Sequence, residues 1–126
     1  MSKIVGIGTD MCAVSRMEKA IERQHFYERV FFAQERVYLE KKENARAQSA
    51  AAMFAAKEAV SKALGTGFIR GIMPWTIEVT HDEAGKPAIV LHDAAKARLE
   101  EIGGEAVHLS LTHEGDTAMA FAIIEG

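Results

Sequence analysis

The stretch Arg46–Leu64 is alanine-rich, contains neither glycine nor proline, and stops at Gly65, the residue type favoured at a helix C-terminus. It predicts one long helix. At 1.5 Å per residue that helix extends roughly 28 Å, across most of a domain of this size. The rest of the chain must pack around such a rod. With 126 residues the sequence makes a single domain, residues 1–126, and is too short for two comfortable ones. Its balance of 48% hydrophobic and 26% charged residues is that of a soluble globular domain. The single cysteine, Cys12, has no internal partner and suits a reducing cytosol. No apolar run approaches the ~20 residues of a membrane span, and the N-terminal apolar stretch is too short for a signal peptide. A cytoplasmic protein without a membrane partner is expected. A net charge of −3 argues against general nucleic-acid binding, which needs a basic excess.

Around the rod, the pattern alternates between helix and strand. Lys3–Thr9 reads as a short strand, with Asp10 placed where it stops. Val14, Met17 and Ile21 are spaced as on a helix from Met11 to about Gln24. Phe26–Phe32 reads as one or two helical turns, and Gln34–Lys42 as a further helix. After the loop Gly65–Pro74, Trp75, Ile77 and Val79 alternate with polar residues as a half-buried strand. A turn at Asp82–Pro87 leads into the apolar run Ala88–Leu91, and Asp93 is placed to cap a helix reaching Ile102. Val107–Thr112 alternates as a strand, His113–Asp116 turns, and Thr117–Ile124 is a last strand, apolar on both faces. Such a strand is central in its sheet, or its outer face meets another subunit. The class is α+β: a mainly antiparallel sheet with a long central helix.

Glu58 and Lys62 are four apart on the long helix and project from one face. One can hold a hard cation and the other can meet a phosphate. Taken alone they are an ordinary exposed pair worth ~0.3–0.5 kcal/mol. Asp10 is the second carboxylate of interest, as a ligand or as the N-cap of the following helix. Gly6-Ile7-Gly8 resembles the start of a dinucleotide fingerprint, but Met11 stands where that motif needs glycine.

In order along the chain come Gly6–Asp10, Arg16, the segment Phe54–Gly67, Gly85-Lys86-Pro87 and Ser110–His113. This set resembles the holo-[acyl-carrier-protein] synthases, the small trimeric branch of the 4′-phosphopantetheinyl transferases, over essentially the whole chain. The resemblance implies the 4′-phosphopantetheinyl transferase-like fold, a homotrimer with active sites between subunits, and a role in fatty acid biosynthesis. It implies transfer of 4′-phosphopantetheine from coenzyme A to a serine of apo acyl carrier protein, with release of 3′,5′-ADP. Asp10 and Glu58 match the carboxylates that bind Mg²⁺ in the family, and Lys62 matches a lysine beside the phosphates; Glu58 and Lys62 are the expected catalytic pair. Such a transfer asks the protein for positioning and charge neutralisation. Mg²⁺ needs only one or two carboxylates alongside phosphate oxygens and water.

Gly65, Thr66 and Gly67 end the helix and offer backbone N–H groups to a phosphate; Lys86 and Pro87 are expected on the adenine side, and His113 near a phosphate or the nucleotide. Family members commonly carry a basic residue where this chain has Met53, so that contact with coenzyme A is expected to be either missing or supplied by Arg46 or Lys57. Arg16, Lys19 and Arg23 fall at i, i+3 and i+7, a basic stripe suited to an acidic acyl carrier protein or simply a solvated face beside Glu18 and Glu22. Cys12 is expected to pack as a small apolar group rather than act as a nucleophile. Competing readings are a transferase for a specialised carrier, a non-catalytic coenzyme A or carrier-binding module, and a metal-dependent nucleotide hydrolase.

Overall fold

The structure, a computed structural model, describes residues 2–126, so Met1 of the N-terminal segment read above lies outside the described residues. Strand β1 (Ile4–Ala13) is followed by helices α1 (Val14–Ala20), α2 (Gln24–Val30) and α3 (Ala33–Glu40). A 3₁₀ turn at Glu43–Ala45 leads into α4 (Arg46–Ala63), and another at Pro74–Thr76 precedes β2 (Ile77–His81) and β3 (Pro87–Leu91). Helix α5 (Asp93–Glu101), β4 (Ala106–Glu114) and β5 (Thr117–Glu125) complete the chain. Both sheets are antiparallel, one ordered β1-β5-β4 and the other a β2-β3 hairpin. The doubly apolar last strand is the central one. Its inner face presents Ala118, Ala120, Ala122 and Ile124, all buried.

Helix α4 packs on β1 and β5 with one side and on α3 and β2 with another. Small residues let it lie close. A Cβ at Gly6 would fall 2.0 Å from the Ala63 carbonyl oxygen, and one at Gly8 would fall 2.0 Å from that of Ala59. Two residues of strand advance about 6.7 Å and four residues of helix about 6 Å, so the two periods match along the crossing. The Gly6-Ile7-Gly8 spacing therefore serves helix-on-strand contact. On the opposite side of α4, Lys57 Nζ donates to Glu35 Oε1 (2.9 Å) and to the carbonyls of Pro74 (3.0 Å) and Ile77 (2.6 Å). Glu35 in turn accepts the N–H groups of Phe32 and Val79, both at 2.7 Å. This buried pair ties α3 and β2 to the rod.

Several boundaries differ from the sequence expectation. Asp10 lies inside β1 rather than at its end, and the helix expected from Met11 begins at Val14 and ends at Ala20. Pairing with β5 runs unbroken to Ala13↔Thr117, and this ladder holds Met11–Ala13 extended. Asp10 consequently caps nothing; Ala13 is the N-cap of α1 and provides no side-chain hydrogen bond. Helix α2 starts two residues before Phe26 and releases Phe31 to an extended conformation. Trp75 sits in a 3₁₀ turn under the Arg29 guanidinium, 4.1 Å from the ring centroid, instead of in β2. Asp93 lies in the first turn of α5 without capping it, and His92 is the N-cap. β4 extends through Glu114, which shortens the expected 113–116 turn to Gly115 and Asp116.

Candidate active site

Glu58 and Lys62 each precede by one residue the alanines that rest on Gly8 and Gly6. They sit about 100° around the helix from that contact line, at the margin of the α4–β1 interface. Asp10, two residues beyond Gly8 on the same face of β1, arrives at the same margin. Lys62 Nζ donates to Asp10 Oδ1 at 2.7 Å and to the Thr9 carbonyl at 3.1 Å. The hydrogen bond to Asp10 raises the Lys62 pKa. Glu58 is half-buried beside Asp10. Desolvation first, and then the hydrogen bond with Asp10 and its charge, push the Glu58 carboxyl up to about 7, with Lys62 opposing. Two carboxylates thus meet at this margin, and burial with a like charge alongside holds the Glu58 carboxyl above the usual carboxylate range despite Lys62.

That donor set fits Mg²⁺. The ion accepts one or two carboxylates and completes its octahedron with phosphate oxygens and water. No cluster of three or more potential ligands occurs among the described residues, so a closed, protein-only site is absent there. The Lys62 side chain is 52% exposed, so it is held to Asp10 from the solvent side.

A separate cleft of about 560 Å³ lies beside α4, its walls including Tyr38, Met53, His81, Lys86, Pro87 and His113. Asp82 Oδ1 accepts the N–H groups of Ala84 (2.9 Å) and Lys86 (2.8 Å), which fixes the hairpin turn presenting Lys86 and Pro87. His113 Nδ1 is 3.1 Å from Gln48 Nε2 of α4. The rings of Tyr38 and His81 stack at 3.7 Å with 2° between planes. Burial, and then Lys42, lower the His81 pKa. Tyr38, His81 and Gln48 had no signal in the sequence, because their elements meet only in three dimensions.

Glu58 and Lys62 do not line this cleft. Ser49, which does, and Lys62 are thirteen residues apart on α4, roughly 20 Å along its axis. Met53 of the cleft wall and Glu58 are only five residues apart, roughly 7.5 Å along the axis, so the acidic pair lies just beyond the cleft lining of one chain.

Four expected placements differ in the structure. The N–H of Gly65 is used by the Lys62 carbonyl, and those of Thr66 and Gly67 by the Ser61 carbonyl. The Thr66 hydroxyl also turns inward, to the Gly67 carbonyl at 2.8 Å. The 65–67 segment is a helix stop whose N–H groups are spent on the helix, not a phosphate cradle. Lys57 is fully buried against Glu35 and cannot replace a basic residue at Met53. Arg46 does not line the cleft; Glu40 holds its guanidinium at 3.0 Å. The basic stripe is also interrupted: Arg16 and Lys19 are on α1, whereas Arg23 follows its end and caps α2, with all three exposed.

Residues 6–122 match the family model of the 4′-phosphopantetheinyl transferase superfamily. The chain is 46% identical over 123 residues to the holo-[acyl-carrier-protein] synthase of Treponema denticola, covering 98% of this chain and 99% of that one. The crystal structure of holo-[acyl-carrier-protein] synthase from Neisseria meningitidis superposes with a TM-score of 0.87 at 34% identity, covering 98% of this chain and all of the other. The synthase of Bacillus anthracis, solved in complex with CoA (3′,5′-ADP), superposes with a TM-score of 0.81 at 35% identity, covering 98% of this chain and 97% of that one. Fold and sequence agree: the chain belongs to the 4′-phosphopantetheinyl transferase superfamily.

Proposed function

We propose that this chain is a holo-[acyl-carrier-protein] synthase, which moves 4′-phosphopantetheine from coenzyme A to a serine of an apo acyl carrier protein. The observation that carries the site assignment is the convergence of Asp10, Glu58 and Lys62 at the α4–β1 margin. Asp10 and Glu58 would hold Mg²⁺, which would supply charge neutralisation to the diphosphate. The serine oxygen forms a bond to the β-phosphorus, the bond from that phosphorus to the bridging oxygen breaks, and 3′,5′-ADP departs. Lys62 leaves Asp10 to offset the charge growing on the departing phosphate. Glu58 receives the serine proton. Full turnover in Glu58→Gln at saturating Mg²⁺ would remove that last role.

Lys86, Pro87 and His113 take the nucleotide in the cleft, against Met53. Arg46 reaches it only by releasing Glu40. That the acidic pair lies outside the cleft wall of one chain favours a second copy that completes the site. Ile7 and Met11 of β1, 62% and 66% exposed, lie beside Met119 and Phe121 of β5 on the outer face of the three-stranded sheet. That apolar face is the contact surface of a homotrimer. No helix among the described residues is long and apolar enough to cross a membrane. The enzyme acts in the cytoplasm and serves the carrier of fatty acid biosynthesis. Arg16, Lys19 and Arg23 face that acidic carrier.

Mixing the protein with coenzyme A, Mg²⁺ and apo carrier tests the function directly. Mass spectrometry is expected to find a pantetheine-bearing serine on the carrier. Coenzyme A hydrolysed with the carrier unmodified would point to the hydrolase instead, and binding without turnover to a module that only holds its ligands.

A further inference from the structure

Helix α1 is short and begins without a cap of its own. Its N-cap residue, Ala13, has no side-chain acceptor, yet the first two N–H groups of the helix are satisfied. Both are taken by Asp116, about a hundred residues later. Its carbonyl accepts Val14 N–H at 2.8 Å and its Oδ1 accepts Ser15 N–H at 2.8 Å. Its Oδ2 accepts the Ser15 hydroxyl at 2.6 Å. The register explains the meeting: β1 ends on the pair Ala13↔Thr117, so the turn residue before Thr117 falls against the residue after Ala13. Gly115, at φ 57°, lets the β4–β5 turn close tightly enough to do this. The next residue of α1 after Ser15 is Arg16.

We infer that Asp116 is a positioning residue for carrier docking: its carboxylate caps α1 from the β4–β5 turn and thereby fixes the direction in which Arg16 and Lys19 are presented. The inference rests on the reading that these basic residues face the carrier. His113, on the same hairpin, is tied independently to Gln48, so loss of the cap leaves the nucleotide side in place. Geometry and charge make opposite predictions here. Asp116 is an anion close to a cationic docking surface, so if it acted through charge alone its removal would strengthen attraction for an acidic carrier. As a cap, its removal frees the first turn of α1 and weakens docking.

The test compares Asp116→Ala, Asp116→Asn and Arg16→Ala in steady-state transfer, together with amide hydrogen exchange at Ser15 and Arg16. Asparagine discards the charge but keeps a good capping acceptor. Asp116→Ala is expected to raise KM for the carrier about 5-fold, the usual worth of a cap, with KM for coenzyme A and kcat unchanged and faster exchange at both amides. Asp116→Asn is expected to stay within about 2-fold of the parent, since a cap of this type is retained. An unchanged or lowered carrier KM in Asp116→Ala, with Arg16→Ala still raising it, overturns the inference. No effect of Arg16→Ala on the carrier KM would sink the docking surface itself, and the inference with it.

Discussion

Replacing Lys57 by methionine removes an ammonium from the interior while keeping most of the stem. Both Lys57 and Glu35 side chains are 0% exposed, and their charged atoms are 2.9 Å apart. At an effective dielectric near 20, that separation corresponds to about 6 kcal/mol of attraction. Desolvating the two ions costs several kcal/mol each, so the intact pair contributes little net stability. Burial is the first cause of both pKa shifts, raising Glu35 and lowering Lys57, and their mutual attraction opposes it. Breaking the pair is another matter. Lys57→Met strands the Glu35 carboxylate with only the Phe32 and Val79 N–H groups as partners, and the expected loss is ~3–5 kcal/mol. The double variant Lys57→Met/Glu35→Leu should recover most of that loss, because no uncompensated charge remains. In Lys57→Met the buried carboxyl has its pKa raised further above the unfolded value. Its proton-bound form then favours folding at low pH, and that contribution is lost as pH rises through the folded pKa. The single variant is therefore expected to be less destabilised at pH 5 than at pH 8. Urea titrations at fixed protomer concentration measure these differences, since assembly would otherwise enter the midpoint. A single variant within ~1 kcal/mol of the parent, or a double variant worse than the single, would refute the reasoning.

Gly8→Ala is expected to cost about 3 kcal/mol and most of the activity, because its Cβ meets the Ala59 backbone oxygen at 2.0 Å and α4 must move away from Asp10; thermal melts and transfer assays check both. Burial first, then Glu58, pushes the Cys12 thiol up to about 11, so modification by a thiol reagent should stay slow at pH 8 and quicken only toward pH 11. Cys12→Ala should transfer at nearly the parent rate, and a dead variant would contradict its packing role. Added salt should raise KM for the carrier more than KM for coenzyme A, whereas equal effects would count against docking through Arg16, Lys19 and Arg23.

The long helix and the central last strand were legible because each advertises itself locally, one by an unbroken run of helix formers and the other by two apolar faces. The common face of Glu58 and Lys62 was legible from helical spacing, but spacing alone made them an ordinary exposed pair, and their meeting with Asp10 depends on the α4–β1 packing. The end of β1 was not. Met11–Ala13 carry a helix-compatible pattern, and only pairing with residues more than a hundred positions away keeps them extended. Lys57 shows the limit most clearly. It neighbours Glu58 in the chain but points to the other side of the rod, and its partner Glu35 lies on a helix whose sequence reads as surface. For the segment 65–67 the helix stop was legible, but the use of its N–H groups was not. Glycines that suit a phosphate-binding turn suit a helix stop equally well, and the destination of their N–H groups is visible only in the structure.

The central claim is that one acid from β1 and one from α4 grip a divalent cation together. Mn²⁺ can replace Mg²⁺ in an electron paramagnetic resonance titration with coenzyme A present, using the parent, Asp10→Asn and Glu58→Gln. Each substitution should weaken Mn²⁺ binding at least ~10-fold, as losing a ligand does, while coenzyme A remains bound. Parent-like Mn²⁺ affinity in both variants would contradict the account.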